Sequence, residues 1–117
     1  MLRVAAVLSA LLLGPVLAPA QTTPNAAPDL SRSRELVRMV RQDCGSCHGM
    51  RLTGGLGPAL TREALADFPI DSLAATIYHG RPGTPMPPWR AMLSEPEARW
   101  IALRLQQGFP EEVVKAP

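Results

Sequence analysis

Residues 44 to 48 read Cys44-Gly45-Ser46-Cys47-His48, and this C-x-x-C-H run uses both cysteines of the chain. No thiol is left for a separate disulfide framework, so whatever stabilises the fold must work through this one spot or through packing. The pattern is the one by which a haem is held covalently. Two thiols three positions apart on a tight turn add to the two vinyl groups of one porphyrin, and the adjacent imidazole falls under the iron. Gly45 and Ser46 are small, which lets that turn lie close against the ring edge.

Three other readings compete. C-x-x-C alone also serves as a structural disulfide or a thioredoxin-like redox pair, although the flanking chain shows no alternation of strand and helix patterns. Cys44, Cys47, His48 and His79 make a four-ligand zinc set, but His48 directly follows Cys47 and leaves little slack for a tetrahedral site. Chance occurrence is the third. An export signal favours haem over all three: Arg3 gives a positive start, Val4 to Leu17 is an almost unbroken apolar run, and Ala18-Pro19-Ala20 offers small residues for cleavage. An uncleaved anchor is the alternative, against which the run falls short of the roughly 20 apolar residues a spanning helix needs.

The expected organisation is a signal peptide over residues 1–20, a flexible linker over 21–30, one domain over 31–109 and a charged tail over 110–117. Aromatic residues make up only 4% of the chain. A domain this small and this poor in large side chains has little core of its own, and a flat apolar cofactor would supply the missing surface. The net charge of +2 is carried by scattered arginines, with Lys115 the only lysine. This excludes a nucleic-acid footprint and assigns the arginines by default to solvated surface.

Ser31 or Ser33 is expected to cap a first helix that runs to about Gln42, with Leu36, Val37, Met39 and Val40 on its apolar face. Glycines 49, 54, 55 and 57 with Pro58 then impose a loop. An iron-bound histidine needs an acceptor for its other ring nitrogen, and the Pro58 carbonyl is assigned that role against the alternative of an ordinary Gly-Pro turn. Leu60 is expected to pack on the haem face. Thr61 caps a short helix through about Asp67, stopped by Pro69. Asp71 caps the next, with Leu73, Ala74 and Ile77 inward and Gly80 at its end.

Four prolines in Arg81-Pro82-Gly83-Thr84-Pro85-Met86-Pro87-Pro88-Trp89 forbid regular structure and stiffen the loop around Met86. A thioether is a weak iron ligand, so a stiff loop favours it by removing competing conformations. Met86 is therefore the candidate sixth ligand, with Met39, Met50, Met92 and above all His79 as rivals. Trp89 is expected to close the pocket, its indole N–H either reaching a propionate or simply packing. Arg81 and Arg90 either pair with propionates or face water. Ser94-Glu95-Pro96-Glu97 is a capping box for a last helix to about Gln107, with Ala98, Ile101, Ala102 and Leu105 inward. That helix is expected to pack across the first one, with Trp100 near the crossing.

A helix leading into CGSCH, then GPAL, a PMPP loop with Met86 38 residues after His48, and a closing amphipathic helix resemble a class I monohaem cytochrome c over nearly all of the mature chain. The runs DCGSCHGMRLTGGLGPAL, HGRPGTPMPPW and SEPEARWIALRL are similar to the NirC-type exported cytochromes associated with cytochrome cd-type nitrite reductase. The resemblance implies an all-α cytochrome c fold of three to five short helices around one haem c. It implies attachment through Cys44 and Cys47, axial ligands His48 and Met86, and Pro58 as the acceptor behind His48. It further implies a periplasmic one-electron carrier, not an enzyme, acting as a monomer without stable membrane association. Its partner would be the nitrite reductase or the factors that mature that enzyme's special haem.

Overall fold

A computed structural model describes residues 26–110 and the isolated positions 14, 15, 18 and 23. Most of the expected signal peptide and of the tail lie outside the described residues, as do residues 21, 22, 24 and 25 of the expected linker. Among the described residues there are five α-helices and no strand: α1 (Leu30–Met39), α2 (Gly45–His48), α3 (Arg62–Leu65), α4 (Ile70–His79) and α5 (Glu95–Gln106). No helix among them is long and apolar enough to cross a membrane.

Helix α1 starts two residues before the position a Ser31 cap would give and four before that of a Ser33 cap. Asp29 is its N-cap and accepts from the Arg32 N–H at 2.8 Å, while Ser33 donates to the Pro28 carbonyl. A carboxylate at this position satisfies an orphan N–H and also complements the helix dipole, so it wins over hydroxyls farther along. The helix does not stop near Gln42. It continues as a π-helical segment, Val40–Cys44, in which the Gly45 N–H reaches back five residues to the Val40 carbonyl, and runs directly into α2. Helix α3 is only one turn long, capped by Thr61 as expected. Helix α4 is not capped by Asp71: Pro69 holds the N-cap position, and the Asp71 carboxylate pairs instead with Arg99 of α5. The capping box at Ser94 and Glu97 forms in both directions.

The core joins Leu36 and Val40 to Ile101 and Leu105, with Leu52, Leu65 and Leu93 around them. Ala98 and Ala102 are fully buried on α5. Small side chains there let another backbone come close, and α5 lies closest along α4, with α3 also against it. The expected packing of α5 against α1 is thus made mainly through side chains. Trp100 packs at the edge of this core, with the Arg104 guanidinium stacked over its ring.

Two arginines depart from the solvated reading. Arg41 is only 8% exposed and donates to the Phe109 and Pro110 carbonyls at 2.8 and 2.9 Å. With Arg62, which donates to the Gln107 carbonyl, it places positive charge where the end of α5 is negative. Arg32 donates to Glu97 at 2.6 Å, to Glu35 at 3.0 Å and to the Met92 carbonyl at 2.9 Å. It thereby ties the starts of α1 and α5 to the segment between them.

These bonds to Arg32 hold the Glu97 carboxyl below its ordinary value of 4.5, against a smaller opposing effect of burial. A carboxyl depressed on folding stabilises the fold above its unfolded pKa, and the contribution is lost as pH falls through the folded pKa. Between about pH 6 and pH 3, the denaturation midpoint of Glu97→Gln should therefore fall less steeply than that of the parent protein. Equal slopes would show that the pair contributes nothing.

Candidate functional site

The cysteine motif stands on helical backbone and not on an isolated tight turn. Cys44 closes the π-helical segment, and Gly45–His48 is a single α-turn. Positions three apart on a helix share a face, so the spacing of Cys44 and Cys47 turns both side chains the same way. The π segment is what brings the helix into this register, since each extra residue in a turn rotates everything after it. Both cysteines are free thiols, Cys44 half-buried against the core and Cys47 exposed. Burial, and then the neighbouring Asp43 carboxylate, push the Cys44 thiol up to about 11.

Gly49 ends α2, and the chain folds back over His48. The Gly54 N–H donates to the His48 carbonyl and the Gly57 N–H to the Cys47 carbonyl, both at 2.8 Å. Leu52 sits in the loop at a φ of 61° with its side chain 2% exposed. The burial of that leucine offsets a backbone conformation that costs non-glycine residues on the order of 1–2 kcal/mol. The result is that His48 Nδ1 lies 2.6 Å from the Pro58 carbonyl oxygen. A carbonyl can only accept, so Nδ1 is the donor in this bond, and in the neutral imidazole that tautomer leaves the lone pair on Nε2. Gly57 lies against the imidazole: a methyl group there would be 2.7 Å from Cε1 and 2.8 Å from Nδ1.

Met86 is held on a separate loop that folds back on α4. Gly80 ends that helix at a φ of 70°. Beyond it the Met86 carbonyl accepts from the Arg81 N–H at 3.2 Å, and its N–H donates to the Thr84 hydroxyl at 3.3 Å. Thr84 is itself bound to the Arg81 carbonyl through both its N–H and its hydroxyl. The loop closes where the Trp89 and Arg90 N–H groups donate to the Ile77 and Tyr78 carbonyls. Thr84 was missed in the sequence, where a hydroxyl two residues before a candidate ligand is the available signal. Trp89 packs on the core, and Arg81 and Arg90 are exposed.

The rivals stand elsewhere. His79 is exposed, edge-on to Tyr78 at 4.9 Å, beside a groove lined also by Asp71, Glu95 and Arg99. Met50 and Met92 are 69% and 51% exposed, and Met39 packs on the core. Among the described residues no group of three or more His, Cys, Asp or Glu side chains is placed to hold a metal ion, so the zinc set is not assembled. Cys44, Cys47, His48 and Pro58 are brought together in one unit, while Met86 is carried by its own braced loop. This donor set fits a haem: two unpaired thiols, and an imidazole whose metal-binding nitrogen is left free by the bond at the other.

The family model described as cytochrome C oxidase, cbb3-type, subunit III matches residues 31–103. Cytochrome c55X of Stutzerimonas stutzeri is 58% identical over 86 residues, which span 74% of this chain and 76% of the relative. Among solved structures, the c-type cytochrome NirC is 57% identical with a TM-score of 0.67, over 68% of this chain and 94% of that one. The dihydro-heme d1 dehydrogenase NirN, solved in complex with DHE, is similar over a short part of its length: 34% identity and a TM-score of 0.56 over 63% of this chain and 16% of that one. An identity above one half, sustained over most of both partners and on the same helical frame, leaves one assignment: the chain belongs to the class I cytochromes c, in the group of cytochrome c55X and NirC.

Proposed function

We propose that this chain is a periplasmic one-electron carrier, exported by residues 1–20, with one haem c attached through Cys44 and Cys47. His48 and Met86 are its axial ligands, and a cytochrome cd-type nitrite reductase is its partner. When bound, the haem supplies a one-electron couple between ferrous and ferric iron. The chain's own residues decide what that couple is used for. Pro58 fixes the tautomer and orientation of His48, which keeps Nε2 directed to a metal. The observation that carries the reading is the bracing of Met86, whose N–H and carbonyl are both bonded within its own loop. A thioether on a loop braced in this way would be available to hold a bound iron together with His48, and would then favour electron transfer over catalysis. The helical, cytochrome-like relatives support the same conclusion.

A second reading draws on the likeness to a segment of the dihydro-heme d1 dehydrogenase. A dehydrogenase that removes two electrons and two protons from its substrate needs an acceptor, and two ferric copies of this protein would each take one electron while the two protons pass to solvent. In that case the chain serves maturation of the reductase's special haem. Stopped-flow mixing separates the readings. The ferrous protein should be oxidised by catalytic amounts of nitrite reductase in the presence of nitrite. Oxidation that fails there, with the ferric protein instead reduced during turnover of the dehydrogenase, would favour maturation. Failure of both would overturn both.

A further inference from the structure

The loop that carries Met86 is short of backbone donors. Pro82, Pro85, Pro87 and Pro88 have no N–H, so between residues 81 and 88 only Arg81, Gly83, Thr84 and Met86 can donate from the main chain. Such a stretch cannot build a ladder of its own, and side chains must supply part of what fixes its shape. The Arg81 N–H reaches the Met86 carbonyl at 3.2 Å, and the Thr84 N–H reaches the Arg81 carbonyl at 3.1 Å. The Met86 N–H is bonded differently. Its acceptor is the Thr84 hydroxyl, at 3.3 Å.

That hydroxyl also donates to the Arg81 carbonyl at 2.7 Å, so it uses its one proton and a lone pair at once. Both side-chain hydrogen bonds of the loop therefore run through Thr84, and they join the first residue after Gly80 to Met86. Thr84 is exposed, so core packing does not account for a threonine there. A surface threonine commonly bonds the backbone of its own turn and does nothing more. The bond back to Arg81 is of that kind. The bond from Met86 is not needed to close the turn at residues 81–84, and it fixes the residue that bears the thioether.

We infer that Thr84 is a positioning residue for Met86: its hydroxyl holds the loop in the form that presents the thioether, and so slows the release of Met86 from iron. This rests on the carrier reading above, in which Met86 is an axial ligand. A thioether binds iron weakly, and its release is a local opening of the loop that holds it. Bonds within that loop set how often it opens.

Stopped-flow binding of imidazole to the ferric, haem-loaded protein tests this. Imidazole enters only after Met86 leaves, so at high imidazole the rate levels off at the rate of Met86 release. Thr84→Val and Thr84→Ala both lack the hydroxyl and, at an exposed position, remove no core packing. Each should raise the limiting rate about tenfold, the effect of losing two neutral hydrogen bonds that compete with water. Thr84→Ser keeps the donor and the acceptor and should stay within about twofold of the parent. Thr76→Val removes a hydroxyl that bonds the Ser72 carbonyl at 2.8 Å on α4, outside the loop, and should also stay within about twofold. A limiting rate unchanged in Thr84→Val and Thr84→Ala, or raised as much in Thr84→Ser or Thr76→Val, would overturn the role of the hydroxyl and leave the carrier reading intact. In Met86→Ala the rate should rise with imidazole without levelling off. A ceiling there equal to the parent's would show that another group holds the position, and would overturn Met86 as ligand and the role of Thr84 with it.

Discussion

Replacing Gly80 with alanine should loosen the Met86 loop and destabilise the haem-loaded protein by about 2–6 kcal/mol. Two effects combine. Gly80 has φ 70° and ψ −170°, a conformation open to glycine and strained by about 1–3 kcal/mol in other residues. Its added methyl would also lie 2.6 Å from Pro87 C and Pro88 N and 2.9 Å from the Met86 oxygen. These are backbone atoms, and two of the three belong to prolines that cannot turn aside, so overpacking adds about another 1–3 kcal/mol. Gly83 is the natural control: its φ is 78°, but nothing lies within 4 Å of a methyl there. Gly83→Ala should lose only the conformational part, about 1–2 kcal/mol. Denaturant titration of the two variants checks the difference, and equal losses would mean that the close approach to the Met86 loop is not what glycine serves at position 80.

Gly57→Ala should act on the other side of the site. Gly57 does not use the left-handed region, so its effect is steric alone: the methyl would stand 2.7, 2.8 and 3.2 Å from Cε1, Nδ1 and Nε2 of His48. The ring must tilt, and tilting breaks the 2.6 Å bond to the Pro58 carbonyl. Overpacking and the lost bond together cost about 2–4 kcal/mol. A ring without its carbonyl acceptor is a less basic ligand and stabilises ferric iron less. The reduction potential should therefore rise, on the order of tens of millivolts. A potentiometric titration reads this directly. A stability loss with the potential unchanged would show that the contact is packing and does not hold His48.

What could be read in the sequence was local. The Ser94 capping box, the end of α4 at Gly80 and the Thr61 cap are fixed by residues within a turn of one another, and each stands where its signal placed it, although the helix after Thr61 ends at Leu65 and not near Asp67. The His48 ring and the Pro58 carbonyl, ten residues apart, form a pair named from the need of a ligand histidine for an acceptor. What escaped depends on distant chain. Arg41 is buried because carbonyls 68 and 69 residues on accept from it, and Arg32 finds Glu97 65 residues away. No spacing rule carries that information. The π-helical segment falls where Val40 and Arg41 are both buried, so its register answers to packing on two sides at once and has no short-range signature. The glycines at 57 and 80 were legible as turn formers, but the clash each avoids involves a histidine ring or a proline backbone that only the fold brings near.

The central claim is that iron held by this chain has both axial positions filled by it, from His48 and Met86. Ferric absorption in the far red tests that claim most directly, because a thioether bound to ferric haem gives a sulfur-to-iron charge-transfer band. The band should be present in the parent protein and in His79→Ala, Met50→Ala and Met92→Ala. It should vanish in Met86→Ala, with the haem still covalently attached. Persistence of the band in Met86→Ala, or its loss in His79→Ala or Met92→Ala with Met86 intact, would contradict the account.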